Sequence, residues 1–453
     1  MICSLVLVVF TLNMYFRIML RSALVSVLIT FFFLSAKAQG EWEWTELSEL
    51  PFPTANNALC EALVNGEKYV YSFGGITDSL HPEDIHQRVF KYDVLNDEWT
   101  EQAALPDTMG KIAAGASFVN NKIYVMGGYH VDTNLNEYSS DRVHIYNPYI
   151  DTFEVDGAPI PTPIDDHVQV VWRDSLIYVV TGWSNFSNVP YVQVYNPYFN
   201  SWEAASPVPN DNTFKAFGAA GYILGDTIYY YGGVSGSLGF SARSYLRKGV
   251  INPEDPLDIQ WEMVEEPPGG DNYRMACSGH DKTIFFVGGA ATAYNFDALA
   301  YSNGDQVYPN ERILSYDVES GISENTFNTE HDPMDLRGIA KMGGGNWIIA
   351  GGIDTNRVAR TSTYLLHNEN LSDIDQAIQP PFFEVQENSD FYIVETENVG
   401  EVNVYDIQGR TLFSSAKSLA NLWIPKSRLG EGMLLFVYDN DTNVPITIKK
   451  VNP

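Results

Sequence analysis

The stretch YNPYFNSW at residues 195–202 nearly repeats YNPYIDTF at residues 146–153, and YDVLNDEW at residues 92–99 is a third version. In each version an aromatic residue stands seven positions after the opening Tyr. The closing aromatics are Trp99, Phe153 and Trp202. A fixed spacing of this kind indicates a structural unit that occurs several times along the chain.

A second phrase, an apolar run that ends in Gly, lies upstream of each Tyr. It occurs six times, at intervals of roughly fifty to sixty residues, which is typical of propellers and other repeat arrays. The runs end at Gly75, Gly128, Gly182, Gly233, Gly289 and Gly352. The chain is therefore predicted to contain six repeating units.

Each unit contains short β-rich runs separated by Gly, Pro and Asn, and the sequence shows no long amphipathic helical pattern. This composition favours an all-β fold. In the second unit, four strands are predicted at KIAAGASF (111–118), KIYVMGG (122–128), RVHIYNP (142–148) and around Phe153. Each unit is thus interpreted as a four-stranded blade.

The last unit lacks the Trp phrase, whereas the segment EWEWTELSELP at residues 41–51 contains Trp42 and Trp44 outside any unit. A ring of blades must be closed where the two ends of the chain meet, or a strand edge is left unpaired. We infer that the N-terminal segment supplies the outer strand of blade six by pairing near Tyr364.

The paired glycines, the Tyr and the Trp at these offsets resemble the kelch repeats of a six-bladed β-propeller, over about residues 41–372. The match is good in units one to three and looser later. Unit four has INPEDPLDIQW at residues 251–261, and unit five carries an insertion at residues 290–311. The resemblance implies that the glycines allow close packing and sharp turns. Trp99, Trp202 and Trp261 are expected to pack between blades.

Charge and cysteine content exclude several classes of partner. The 453-residue chain has 57 acidic and 27 basic residues, a formal charge of −30, so nucleic acid and anionic membranes would be repelled. Its 45% hydrophobic and 13% aromatic content indicates a folded chain. Three cysteines without a CxxC pair give no disulfide framework.

Residues 19–38, MLRSALVSVLITFFFLSAKA, have the basic start, apolar run and small-residue end of a signal peptide. We assign residues 1–38 to it, with a true start near Met19 as one possibility. An uncleaved anchor is the alternative, but the apolar run at 23–34 is short for a bilayer span, which needs about 20 residues. The mature protein is expected to have no stable transmembrane span and to leave the cytoplasm.

The repeated runs that end in Gly do not continue beyond residue 380. The propeller is therefore assigned to residues 39–379, and residues 380–453 are predicted to form a separate small β-sandwich. The pattern formed by seven residues resembles that of the C-terminal sorting domain of type IX secretion substrates, although Leu434 stands where that family commonly has Tyr. They are Asp406, Gly409, Arg410, Gly430, Gly432, Lys449 and Lys450. The resemblance implies type IX machinery as a partner and a secreted or outer-surface location; a generic accessory domain is the alternative.

A candidate binding site is expected at the axial mouth, where the loops that precede the inner strands lie. Residues 39–379 hold 18 basic against 47 acidic residues, so bases grouped there would focus a small anion or carboxylate. Kelch adaptors similarly use bases at this position. The predicted mouth residues are Asn57, Lys111, Asp166, Lys215, Arg274 and Arg337. Alternatively, each base pairs with a neighbouring carboxylate.

Four aromatic residues on the same loops are candidate platforms for a sugar ring or a peptide: Tyr129, Trp183, Tyr294 and Tyr301. His81, His86 and His130 show no spacing typical of a metal site, and no metal or cofactor is predicted.

These features favour a binding or scaffold module for an anionic glycan, small molecule or peptide. The alternative is a sugar mutarotase or epimerase of the sialic-acid type, or another channel enzyme, with Glu61, Asp166, His167 and Arg274 as candidate channel groups. A galactose-oxidase-type copper site is disfavoured because Cys60 and Cys277 come without a His pair. No GxSxG, P-loop or HExxH phrase occurs, and no catalytic residue is assigned.

Overall fold

The computed structural model divides into two compact units, residues 1–372 and 373–453. It describes β-strands and three short 3-10 helices, with no α-helix in the described ranges. Those ranges are 42–236, 240–264, 269–327, 331, 333–372, 383–389, 391–396, 400–406, 408, 410–417, 422–430, 432–439 and 446–452. The predicted signal peptide lies outside them, as does Pro380–Pro381, a pair that the sequence suggests as a linker between the two domains.

The first unit is an all-β propeller of six sheets, each with four consecutive antiparallel strands from the axis outward. In that order, blade one has the strands Ala58–Val64, Glu67–Ile76, Ile85–Asp93 and Glu98–Glu101, and blade two has Ile112–Val119, Lys122–Val131, Val143–Asn147 and Thr152–Phe153. Blade three has Val168–Trp172, Leu176–Val180, Val192–Asn196 and Ser201–Ala204, and blade four has Phe217–Leu224, Thr227–Ser235, Leu246–Asn252 and Asp255–Met263. Blade five has Ala276–His280, Thr283–Val287, Arg312–Asp317 and Ser323–Phe327, and blade six has Ala340–Gly343, Asn346–Ala350, Thr363–His367 and Glu43–Leu47.

Shorter elements lie in the loops of this unit. They are the strands Glu137–Ser139, Trp183–Ser184, Ser187–Asn188 and Ser241–Ala242 and the 3-10 helices Pro82–Asp84 and Glu369–Leu371.

Blade six is completed by the N-terminal strand. Glu43–Leu47 pairs antiparallel with Thr363–His367, with Glu46 opposite Tyr364. The Trp44 ring lies 5.7 Å from the Tyr364 ring, and the Trp42 ring lies 5.8 Å from that of Trp347. Backbone pairing and indole packing therefore join the two ends of the propeller.

The repeated Tyr phrase builds the turn between the third and fourth strands of a blade. The Tyr195 hydroxyl donates to Asn200 Oδ1 at 2.6 Å, and Asn200 has the left-handed φ of 49°. Asn196 Oδ1 accepts the backbone N–H of Tyr198 at 3.0 Å, which closes the start of the turn. Equivalent hydroxyl bonds join Tyr92 to Asp97 and Tyr146 to Asp151.

The aromatic residue at the end of the phrase packs on the opening Tyr and reaches the preceding segment. The rings of Trp202 and Tyr195 are 5.0 Å apart, and the Trp202 indole donates to the Ala158 carbonyl at 2.8 Å. Trp99 and Trp261 similarly donate to the carbonyls of Ser48 and Ser206. The predicted packing role of these three residues is confirmed.

The doubled glycines join neighbouring blades through the backbone. Gly233 has a φ of 75°, and its N–H donates to the Asn272 carbonyl of the next blade at 2.8 Å. A Cβ at Gly233 would lie 2.8 Å from the Ala219 Cβ, so only glycine fits without displacement. The N–H groups of Gly75, Gly128, Gly289 and Gly352 make the same contact with their next blades.

The second unit contains two sheets around one core. One has the strands Phe383–Glu387, Phe391–Thr396 and Leu422–Pro425; the other has Thr411–Lys417, Gly400–Asp406, Gly432–Asp439 and Ile446–Asn452; a 3-10 helix spans Lys426–Arg428. The buried side chains come from both sheets and include Val385, Tyr392, Val404, Leu434 and Phe436.

The proposed sorting residues in this unit have local structural roles. The Asp406 carboxylate accepts the backbone N–H of Arg410 at 3.0 Å and its Nε at 2.6 Å, which closes a strand turn. Gly430 and Gly432 have φ values of 69° and 121°. Lys449 and Lys450 lie in the last strand, and Gly409 falls outside the described residues. A role in export stays a prediction.

Candidate functional site

Six residues at equivalent positions, one at or shortly before the start of each inner strand, form a ring around the propeller axis. All have left-handed φ values between 49° and 65°. They are Asn56, Ala113, Asp166, Gly218, Arg274 and Asp335. Four of the backbone N–H groups donate to the carbonyl of the preceding ring residue at 2.8–3.0 Å, and the Ala113 N–H donates to Asn56 Oδ1 at 2.8 Å.

The side chain of Arg274 crosses this axial ring and is 1% exposed. Its Nη2 donates to Asp166 Oδ2 at 2.7 Å, and its Nη1 donates to Asp335 Oδ1 at 3.0 Å. The hydroxyls of Tyr129 and Tyr294 also contact this network, at Arg274 Nη2 and Asp335 Oδ1. Burial raises the pKa of Asp335 to about 6, although the Arg274 charge opposes that shift.

Arg337 joins the same network from blade six. Its Nη2 donates to the His167 carbonyl at 2.7 Å, and its Nη1 lies 3.7 Å from Asp166 Oδ1. Asp166 is thus shared by two buried guanidinium groups. Two of the four predicted bases therefore meet at the axis, and both are paired with carboxylates.

The predicted ring of four bases is wrong at Lys111 and Lys215. Lys111 is buried within blade two, with its Nζ 2.8 Å from Asp107 Oδ2 and 3.0 Å from His144 Nε2. Lys215 precedes Gly218, which occupies the ring position of blade four. The side chain of Asn57 is also committed to the fold, because its Nδ2 donates to Ser72 Oγ at 2.8 Å.

A cavity of about 60 Å³, here called the mouth cavity, lies on the loop side of the ring. It brings together five predicted residues, and four others that the sequence reasoning missed. The predicted ones are Tyr129, Asp166, Trp183, Arg274 and Tyr301; the missed ones are Glu137, Asp165, Phe217 and Phe240. Tyr294 is buried behind the cavity and bonds to Asp335.

A larger cavity of about 340 Å³, here called the channel, is lined by all six inner strands. His167 and Met275 line the channel, whereas the preceding ring residues Asp166 and Arg274 line the mouth cavity. The axial ring therefore separates the two cavities. The polar groups of the channel come from Glu61, Ser117, His167, Gln169, Tyr222, Ser278, Arg337 and Lys341.

The channel holds an acid and a base on neighbouring strands. Glu61 Oε2 accepts the backbone N–H of Lys341 at 2.9 Å, and burial raises the pKa of this carboxyl. Lys341 Nζ donates to the Gly279 carbonyl at 2.8 Å and to the Tyr222 hydroxyl at 3.3 Å. Burial also raises the pKa of Tyr222. The group can therefore offer a cation, a carboxyl and a hydroxyl to one ligand.

A second polar chain crosses the channel wall. His167 Nε2 lies 3.1 Å from Gln169 Oε1, and Gln169 Nε2 donates to Ser117 Oγ at 2.9 Å. Burial lowers the pKa of His167 to about 4, so its ring is neutral at pH 7. Gln169 and Lys341 were missed by the sequence reasoning. The sequence feature that could have identified them is a long polar side chain in an inner strand whose other residues are small or apolar.

Other chemistry is limited in the described part of the chain. Burial raises the pKa of Cys60 and Cys277, so both thiols are protonated at neutral pH. Among the described residues, no three His, Cys, Asp or Glu side chains are grouped to hold a metal ion. The same ranges contain no helix with the length and apolarity needed to cross a membrane.

Comparisons with known proteins agree with this architecture. The Kelch motif matches residues 113–155. The human Kelch repeat and BTB domain-containing protein 12 is 31% identical over 129 residues, which cover 27% of this chain and 20% of that protein. N-acetylneuraminate epimerase 1 of Escherichia coli O6:H1 is 26% identical over 269 residues, which cover 59% of this chain and 63% of that protein. The chain therefore spans less than two thirds of either relative.

A solved structure supports the fold over a larger part of the chain. The structure of YjhT superposes with a TM-score of 0.57 at 17% identity, over 73% of this chain and 98% of that one. At this identity the likeness concerns the fold alone. Together with the six four-stranded sheets, it shows that the first unit is an all-β propeller, and the Kelch motif is matched within this unit at residues 113–155.

Proposed function

We propose that this propeller is a binding module that takes a small carboxylate-bearing molecule, such as an acidic sugar, into the channel. The observation that carries the proposal is that this cavity has the volume of a small-molecule site and two cationic side chains in its wall. Its volume of about 340 Å³ falls within the range of small-molecule sites, and its wall presents the cations of Arg337 and Lys341.

The electrostatics of the channel favour an anion. Arg337 and Lys341 line it together with one carboxylate, Glu61, whereas the whole chain carries a formal charge of −30. A cationic cavity on an acidic protein attracts anions locally and repels them elsewhere. The Arg337 Nε is buried without a hydrogen-bond partner among the described residues, so burial of this cation is incompletely compensated.

The remaining polar groups suit a hydroxylated ligand. Ser117, Gln169, Tyr222 and Ser278 add hydroxyl and amide groups to the wall of the channel. A few placed polar groups in a concave site fix the orientation of a small molecule. An acidic sugar would use the cations for its carboxylate and these groups for its hydroxyls.

Calorimetry on the purified protein tests the proposal, with N-acetylneuraminate and glucuronate as acidic probes and glucose as a neutral comparison. We expect an acidic probe to bind more tightly than glucose, and added salt to weaken the binding. Lys341→Met should weaken acid binding at least tenfold. The matched control is Lys282→Met, because Lys282 forms exposed ion pairs with Asp317 and Glu319. Equal affinities of wild type and Lys341→Met, or of acid and glucose, would contradict the proposal.

Mutarotation of an acidic sugar is the second candidate function. It is favoured by the similarity to N-acetylneuraminate epimerase 1 and by Glu61, a channel carboxyl whose pKa is raised by burial. In mutarotation a base takes the proton of the anomeric hydroxyl while an acid protonates the ring oxygen; the ring C–O bond breaks and then re-forms on the other face. A carboxyl that titrates nearer neutral pH can serve such proton transfers.

The rate of anomer exchange of N-acetylneuraminate, followed by NMR, separates the two functions. Turnover that falls at least tenfold in Glu61→Gln supports the enzyme. The exposed Glu98→Gln is the control. Binding without faster exchange supports the binding module alone.

We also propose that the chain is exported by a type IX system and then released or held at the outer surface. The signal-like segment at residues 19–38 and the second β unit, with its Asp406–Arg410 pair, support this route. Deleting residues 380–453 should leave a folded propeller in the periplasm of a bacterium that has this system. Normal yields of the truncated protein outside the cell would contradict the route.

A further inference from the structure

The mouth cavity differs from the channel in both its charge and its walls. We propose that it binds an ammonium group, primary or methylated, at the tip of a ligand. This inference is independent of the function proposed for the channel, because the axial ring lies between the two cavities.

Carboxyl groups outnumber cationic groups around the mouth cavity. Glu137, Asp165 and Asp166 line it together with Arg274, and Asp335 and Arg337 complete the same network. Four carboxylates therefore face two guanidinium groups. The salt bridges of Arg274 go to Asp166 and Asp335, whereas Asp165 accepts a bond from the neutral Ser139 hydroxyl at 2.5 Å. A cation that enters the cavity would stabilise the ionised form of the carboxyls that no guanidinium pairs with, of which Asp165 is buried and Glu137 is exposed.

The raised pKa values of two of these carboxyls agree with a site that is completed by a cation. Burial raises the pKa of Asp165 well above its usual range, and the neighbouring Asp166 charge adds to that shift. Glu137 is exposed beside the cavity, and partial loss of its hydration raises its pKa, although Arg274 opposes the change. A bound cation favours the charged carboxylates and would lower both values.

Aromatic rings form the opposite wall. The Trp183 ring lies 5.3 Å from the Phe217 ring and 5.6 Å from the Phe240 ring, and the Phe240 and Tyr301 rings are 5.0 Å apart. Trp183, Phe240 and Tyr301 are only half-buried, so part of this wall is accessible. The negative faces of such rings attract ammonium and methylated ammonium groups.

The volume sets the size of the bound group. A cavity needs about 10–15 Å³ to hold one water molecule. The cavity of about 60 Å³ therefore holds roughly four to six non-hydrogen atoms. A methylammonium or trimethylammonium group has this size, whereas a whole sugar ring does not. The aromatic wall also offers too few oxygen ligands for a hard metal cation.

Choline and methylammonium are suitable probes, because they carry the proposed group with little else. Binding to the purified protein is measured by calorimetry and by the upfield shift of the choline methyl resonance that close aromatic rings produce. Sodium chloride at equal ionic strength controls for screening. We expect saturable binding of at least one probe, and weaker binding at lower pH, where the carboxyls take up protons.

Two variants test the walls separately. Asp165→Asn keeps the shape of the side chain, and Tyr301→Leu removes one ring of the wall; each should weaken binding at least tenfold. The exposed Asp141→Asn is the control for charge. Lys341→Met should bind the probe as wild type does, which separates this site from the channel. Heat and shift effects no larger than those of sodium chloride, or unchanged binding in Asp165→Asn, would overturn the proposal.

Discussion

Replacing Arg274 by Met should destabilise the propeller because it leaves buried carboxylates without their cation. Arg274 is 1% exposed and bonds to Asp166 and Asp335, which are 2% and 0% exposed. Removing one partner of a buried ion pair costs about 3–5 kcal/mol. We therefore expect a loss of about that size in the free energy of unfolding.

Urea unfolding followed by tryptophan fluorescence measures this loss, since eight of the nine tryptophans precede residue 372. Arg173→Met is the matched control, because Arg173 makes an exposed ion pair with Asp226 that should contribute only about 0–1 kcal/mol. Adding Asp166→Asn and Asp335→Asn to the Arg274 variant should restore part of the stability.

The pH dependence gives a second test of the same prediction. Without Arg274, the folded-state pKa of Asp335 should rise further above the unfolded value of about 3.9. The folded protein then holds more protons than the unfolded chain, so stability falls as the pH rises through that window. The loss should thus be larger at pH 8 than at pH 5. A loss no greater than that of Arg173→Met, or an equal loss at both pH values, would contradict the prediction.

Three further changes test how the ring of blades is held. Deleting Glu43–Leu47 removes a five-residue strand pairing and should cost about 5 kcal/mol at roughly 1 kcal/mol per ladder bond, visible as a lower melting temperature. Gly233→Ala places a Cβ against Ala219 and should destabilise more than Gly225→Ala, where nothing lies within 4 Å. Tyr195→Phe loses its bond to Asn200 and should cost about 1 kcal/mol, whereas Tyr198→Phe at an 82% exposed side chain should cost little.

The sequence allowed the propeller to be predicted because the repeated residues act within short segments. A Tyr, an Asn or Asp five positions later and an aromatic residue two positions beyond that make a complete turn by themselves. Such local bonds require the same spacing in every copy. The copy in blade five is harder to recognise from the sequence, because Tyr316 is followed five positions later by Gly321 with a φ of 71°. Gly replaces Asn there and provides the left-handed conformation without the hydroxyl acceptor.

The candidate site was less predictable because it depends on contacts across the axis. Arg274 of blade five meets Asp166 of blade three, 108 positions away in the sequence. Their approach depends on the geometry of the whole ring, which no spacing within one blade reveals. The sequence left two alternatives open, a ring of bases that binds an anion or bases that each pair with a neighbouring carboxylate, and it did not identify the pairs.

The position of each base in its loop, relative to the axial ring, determines whether its side chain lies at the axis. Arg274 occupies a ring position itself, whereas Lys111 precedes Ala113 by two residues and Lys215 precedes Gly218 by three. A base two or three residues upstream of a ring position leaves the chain at a different point of the loop, and Lys111 accordingly pairs with Asp107 and His144 instead of the axial carboxylates. Asn, Asp and Gly adopt left-handed φ values readily, and four of the six ring positions have one of them. Arg274 does so at a φ of 49° without that preference, so its strained backbone is held by the two carboxylates that its side chain joins across the axis.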